Sequence, residues 1–160
     1  MWWTRELILL PTNWLDIKKE LESLNLFYSA IKGNKYSKTS FEKEGFTYFL
    51  FPRFTDPYGN DGETSAILDF SIFNKDYLGL VEIKGGNNIN DRDIKQVNRN
   101  ADFSIGALND SMKEYQEIDV NLKSFDSIIV YYKSFLEDCL DYENCKNKLD
   151  EIMKNCVVLT

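Results

Sequence analysis

Two apolar, β-prone runs occupy the middle of the chain, where strand geometry repeats every two residues. Ala66–Phe73 is apolar and β-prone, Asn74-Lys75-Asp76 carries turn chemistry, and Tyr77–Lys84 is apolar again. This pattern predicts two neighbouring strands joined by a tight turn. Upstream, Phe46–Thr55 reads as an aromatic strand in which Pro52 marks an edge or a bend. Asp56–Gly62, DPYGNDG, reads as a hairpin loop in which Asp56 and Asp61 are turn formers.

The period then changes. Asn90 or Asp91 caps a predicted helix from about Arg92 to Leu108, with Ile94, Val97, Ala101 and Ile105 at helical spacing toward the sheet. Ser124–Ser134 is the next strand, centred on Ile128-Ile129-Val130. Phe135–Lys154 is helical, with Leu136, Leu140, Leu149, Ile152 and Met153 inward, and Val157-Val158-Leu159 is a short terminal strand. At the other end, Arg5–Leu10 is a short strand or a helical turn. Thr12 or Asn13 caps a helix whose stripe is Trp14, Ile17, Leu21 and Leu24, ending near Tyr28. The order is helix, three strands, helix, strand, helix. It predicts an α/β (α+β) chain built as a single domain over residues 1–160.

Composition narrows the function. The hydrophobic fraction of 43% supports a packed core rather than a disordered chain. The formal net charge is −7, which argues against a protein that coats nucleic acid through a broad basic surface. Histidine is absent, which removes Ser-His-Asp and Cys-His catalysis and histidine-based zinc sites. Cys139, Cys145 and Cys156 contain no CxxC pair, and an odd count without a secretion signal points to a reducing, cytoplasmic compartment. No apolar run reaches the ~20 residues of a membrane span. The abundance of Asn, Lys, Ile and Tyr hints at an AT-rich genome, viral or mobile.

Four polar residues interrupt the two central strands: Asp69, Ser71, Glu82 and Lys84. Alternate side chains of a strand share a face, so Glu82 and Lys84 point to one side, and Asp69 and Ser71 share a side by the same rule. If these strands pair as neighbours, two carboxylates and an ammonium meet on one surface. Charges set among Leu, Val, Ile and Phe are costly to desolvate. A divalent cation between Asp69 and Glu82 resolves that cost, because Mg²⁺ takes carboxylates, backbone carbonyls and waters. Lys84 is then placed to orient or deprotonate a metal-bound water. The chemistry implied is metal-assisted hydrolysis of a phosphodiester. The plainer alternative is a turn-forming Asp69 and a solvated Glu82–Lys84 ion pair.

Asp69, twelve intervening residues and then Glu82-Ile83-Lys84 resemble the core of the PD-(D/E)XK nuclease superfamily, with Leu68 standing where the name has Pro. The resemblance covers roughly Phe46 to Lys133. It implies a restriction endonuclease-like αβββαβ core, a mixed central sheet flanked by helices, as in Holliday-junction resolvases and RecB-like nucleases. It also implies Mg²⁺ or Mn²⁺ bound by Asp69, Glu82 and the backbone carbonyl of Ile83, with Lys84 assisting the attacking water. Members often carry a further acidic residue on the helix before the first core strand. Glu20 is the better placed candidate, with Glu22 behind it and Glu42 and Glu44 competing. Related members carry a Gln near the metal on the helix after the motif, and Gln96 stands there; a plain surface glutamine is the other reading.

The implied substrate is nucleic acid, DNA foremost, cut by an endonuclease that in many relatives works as a homodimer. Lys35, Tyr36 and Lys38 in the lysine-rich segment Lys32–Ser40, and Lys95 and Arg99 on the following helix, are candidate nucleic-acid contacts or simply solvated groups. An RNase on the same scaffold and a non-catalytic binding module are the alternatives.

Overall fold

The computed structural model describes residues 38, 40–43, 45–59, 62–84, 91–131, 147–148, 151 and 157–159. The described elements are α+β. Strands β1 (Ser40–Lys43), β2 (Phe46–Leu50), β5 (Phe70–Asn74), β6 (Tyr77–Lys84), β7 (Ser124–Tyr131) and β8 (Val157–Leu159) form one mixed sheet in the order β1-β2-β5-β6-β7-β8. Strands β3 (Arg53–Gly59) and β4 (Gly62–Ile67) form a separate two-stranded sheet. Helices α1 (Asp91–Ala101) and α2 (Ile105–Gln116) lie between β6 and β7 in the chain.

β1, β2, β5 and β6 pair antiparallel, and β7 pairs parallel to β6. A parallel neighbour needs a crossover connection, which α1 and α2 supply. The Asn74-Lys75-Asp76 turn closes as expected, with Asn74 opposite Tyr77. The Asp76 carbonyl accepts N–H groups from both Lys123 and Ser124, tying the start of β7 to that turn.

Three expected elements are subdivided, for physical reasons that single strands and helices do not reveal. Ala66–Phe73 is interrupted at Leu68-Asp69, and Phe46–Thr55 at Phe51-Pro52. The two breaks face each other. Leu50 opposes Phe70 on one side and Arg53 opposes Ile67 on the other. Continuing that count puts Phe51 opposite Asp69 and Pro52 opposite Leu68. Those pairs are joined by Phe51 N–H to the Asp69 carbonyl at 3.1 Å and Leu68 N–H to the Pro52 carbonyl at 3.0 Å. One long antiparallel ribbon therefore bends at a single corner and passes from the main sheet into the small one. Pro52 marks that bend, and Phe51 turns it with φ of +50°.

The third subdivision is the helix expected over 92–108, which ends at Ala101 and restarts at Ile105. Ser104 caps α2 by accepting Ala107 N–H at 3.1 Å. The Ser104 N–H in turn donates to the buried carboxylate of Asp56 at 3.1 Å. Asp56 thus anchors the helix start to the ribbon from within β3, opposite Thr64, where a turn former in an Asp56–Gly62 loop was expected. Phe103, buried in the break, meets Phe54 of β3 edge-on at 6.4 Å between ring centroids.

The core lies between one face of the main sheet, the ribbon and α2. Phe49, Leu78 and Leu80 meet Phe54 and Ala66 from the ribbon and Leu108 and Met112 from α2. The far edge of β3 is covered by α2. Ser111 Oγ accepts Thr55 N–H at 3.0 Å and donates to the Thr55 carbonyl at 3.1 Å, so one hydroxyl satisfies both exposed edge groups of that residue. Tyr48, Leu50, Phe70, Ile72 and Val81 are buried on the opposite face of the main sheet. Expectations for Arg5–Leu10, the Trp14–Tyr28 helix and the hairpin apex at 60–61 lie outside the described residues, as does most of Phe135–Lys154. Strand β1 was not expected; β8 falls where expected.

Candidate functional site

β5 and β6 are neighbours, so the two motif segments do meet. Phe70 opposes Val81. Asp69 precedes Phe70 and Glu82 follows Val81, so continuing the antiparallel count sets the two carboxyl-bearing residues opposite each other. Asp69 is half-buried at the ribbon corner and does not belong to β5 itself. Ser71 opposes Leu80 and is fully buried; its hydroxyl has no hydrogen-bond partner among the described residues.

Glu82 is the centre of the site. It opposes Ile129 of β7 in a run of Leu80, Val81 and Ile128, and it is 2% exposed. By alternation it shares a face with Leu78 and Leu80, the face under the helices. A carboxylate so placed requires polar partners. Asn100, at 0% exposure, donates through Nδ2 to Glu82 Oε1 at 3.4 Å. Arg99 Nη2 stands 3.9 Å from the same oxygen. The guanidinium also donates through Nε and Nη2 to Asn100 Oδ1, at 3.3 and 3.1 Å. Burial lowers the Arg99 pKa from the ordinary arginine value, and the Glu82 charge pulls it back up. The Asn100 amide therefore bridges a buried carboxylate and a half-buried guanidinium.

α1 is positioned for this by its own spacing. Asp93, Val97 and Asn100 are its buried residues, a stripe at helical intervals. Ser127 Oγ on β7 donates to the Val97 carbonyl at 2.9 Å, pinning the helix over the sheet beside Glu82. Sequence reasoning missed Asp93 and Asn100. The signal was their spacing from Val97, which places polar residues in line with an apolar one.

Gln96 lies on α1 with intermediate exposure and Lys95 is exposed on the same helix. Arg99 is drawn to Glu82 rather than standing fully solvated. Lys38 is exposed, and its ammonium pairs with Glu117 at 3.1 Å. Ile83 and Lys84 complete β6 opposite Val130 and Tyr131; the side chain of Lys84 lies outside the described residues. So do Glu20, Glu22, Glu44, Lys35 and Tyr36. Glu42 is exposed on β1.

Among the described residues no three His, Cys, Asp or Glu side chains gather as a metal cage. Asp69 and Glu82 instead offer two hard oxygen donors on adjoining segments, with the Ile83 carbonyl next in β6 and an unsatisfied Ser71 hydroxyl on the same sheet. That donor chemistry fits Mg²⁺ or Mn²⁺, ions that work through one or two carboxylates plus water and substrate oxygens. No helix among the described residues is long and apolar enough to cross a membrane. No family model, curated protein or solved structure matches the chain.

Proposed function

We propose that the chain is a metal-dependent nuclease of the PD-(D/E)XK type, cleaving phosphodiester bonds in DNA. The observation that carries this reading is the Glu82 carboxylate, buried in mid-strand one residue past the Phe70–Val81 pair that Asp69 precedes. The antiparallel β2-β5-β6 order, followed by helices and a parallel β7, supports the αβββαβ core that the motif implies.

In this reading Asp69, Glu82 and the Ile83 carbonyl would hold Mg²⁺ or Mn²⁺, which would supply Lewis-acid stabilisation of charge on the reacting phosphate. Lys84, two residues beyond Glu82 in the same strand, orients and deprotonates the attacking water. Asn100 fixes the Glu82 carboxylate, and Gln96 and Lys95 present polar groups from α1 toward the substrate. An in-line attack then releases the leaving oxygen on the opposite side of the phosphorus.

A non-catalytic binding module on the same fold is the competing reading. The net charge of −7 and the contact of Arg99 with Glu82 favour it.

The test is cleavage of supercoiled plasmid and single-stranded DNA, with RNA as a third substrate, in Mg²⁺, Mn²⁺ and EDTA. Asp69→Ala and Lys84→Ala are the controls. Metal-dependent cleavage lost in both variants supports the nuclease. Cleavage of RNA alone moves the substrate class and keeps the chemistry. Absence of cleavage together with absence of metal binding removes the reading in favour of the binding module.

A further inference from the structure

Resting on the nuclease reading, we propose that Arg99 is an internal counter-ion to Glu82, which a divalent cation displaces and thereby releases toward a substrate phosphate. The geometry carries this in three steps. First, Glu82 is 2% exposed and needs a positive partner whenever the metal is absent. Arg99 is a cation within reach, with Nη2 at 3.9 Å. Second, the contact is loose. One guanidinium nitrogen approaches one carboxylate oxygen, at a separation well beyond the roughly 2.7–2.9 Å of a strong charge-assisted pair. The tighter bonds of Arg99 are those to Asn100 Oδ1 at 3.1 and 3.3 Å. Third, the Arg99 side chain is 35% exposed while that of Glu82 is 3% exposed, so the guanidinium has a way to solvent that the carboxylate lacks.

The Glu82 carboxylate would hold a divalent cation in competition with the guanidinium 3.9 Å away, and the added positive charge would repel Arg99. Released from Glu82, the planar donor fork of Arg99 suits a phosphate oxygen pair. One side chain would then offset the Glu82 charge while the metal is absent and recognise substrate only once the metal is in place. Asn100 is the positioning residue, because its amide holds Arg99 at one end and Glu82 at the other.

The experiment titrates Mn²⁺ alone into the full chain by calorimetry, for the wild type, R99Q, R99K and E82Q. Displacement predicts that R99Q binds Mn²⁺ about tenfold more tightly, since the competing charge is gone. R99K should stay near the wild type, and E82Q should lose the site. Cleavage by R99Q should fall despite the tighter metal. Unchanged or weaker binding in R99Q, while E82Q still abolishes it, overturns the displacement and leaves the nuclease reading standing. Equal binding by E82Q and the wild type removes both. Should R99Q fail to fold, the Arg99 Nε–H resonance of the wild type decides. Movement on Mg²⁺ addition supports displacement, and a resonance unmoved at saturating Mg²⁺ overturns it.

Discussion

The N–H of Phe51 donates to the carbonyl of Asp69 at 3.1 Å, and this bond holds Asp69 at the corner where the ribbon leaves the main sheet. The corner is thus held through the backbone of Asp69. Continuing the β5–β6 register, the residue stands opposite Glu82, and in the proposed reading its carboxyl group serves the metal.

Asp69→Ala keeps that carbonyl. The variant should therefore melt within about 3 °C of the wild type. Cleavage should fall at least about a hundredfold. Thermal melts alongside the plasmid assay check both halves. A collapse in stability would instead assign the side chain to the corner.

Glu82→Gln separates a functional carboxylate from a structural one. A buried charge paired loosely is costly to desolvate, and the neutral amide removes that cost, while the partner Arg99, 35% exposed, can reach water. Asn100 Nδ2 can still donate to the side-chain carbonyl oxygen of the amide that E82Q introduces, and Arg99 can turn to water. Urea unfolding in EDTA should place E82Q within about 1 kcal/mol of the wild type, or above it. The same variant should not cleave DNA. A loss of more than about 3 kcal/mol would mark the Glu82–Arg99 contact as part of the scaffold.

Ser111→Ala strips the partner from both Thr55 backbone groups on the edge of β3. Ser111 is 1% exposed, so water does not readily replace the hydroxyl. Unfolding free energy should drop by about 2 kcal/mol. Ser104→Ala, which removes only the helix cap, should cost about 1 kcal/mol. Denaturant melts of the two variants side by side test that order.

Lys75 is exposed in the two-residue turn between Asn74 and Tyr77, with φ of +53°. An L side chain is strained there and glycine is not. Lys75→Gly should raise stability by about 1 kcal/mol with no change in cleavage, read by melting temperature. A fall in stability would show that the turn does not carry this strain.

Much of this chain was legible before folding. The apolar, β-prone run Tyr77–Lys84 located β6, and the polar triplet before it located the turn. The carboxylates stood out because they interrupt apolar runs. Asn100 did not stand out. A lone amide on a helix reads as solvated until its partner, Glu82, is brought beneath it from eighteen residues away. Arg99 read as a phosphate contact or a solvated group for the same reason.

What the sequence determined by itself were the local terms: strand and helix periods, turn residues and the placement of Glu82 in mid-strand. These depend on neighbours within a few residues, so the pattern alone carries them. What only the tertiary structure decided was where those elements break and what they touch. The run Ala66–Phe73 is equally apolar on both sides of Asp69, so nothing in its pattern marks the change of sheet. Phe51-Pro52 on the partner strand turns the corner. Likewise 92–108 reads as one helix until Asp56, distant in sequence, claims the N–H of Ser104. Such bonds join residues far apart in the chain, and they exist only once the chain has closed on itself.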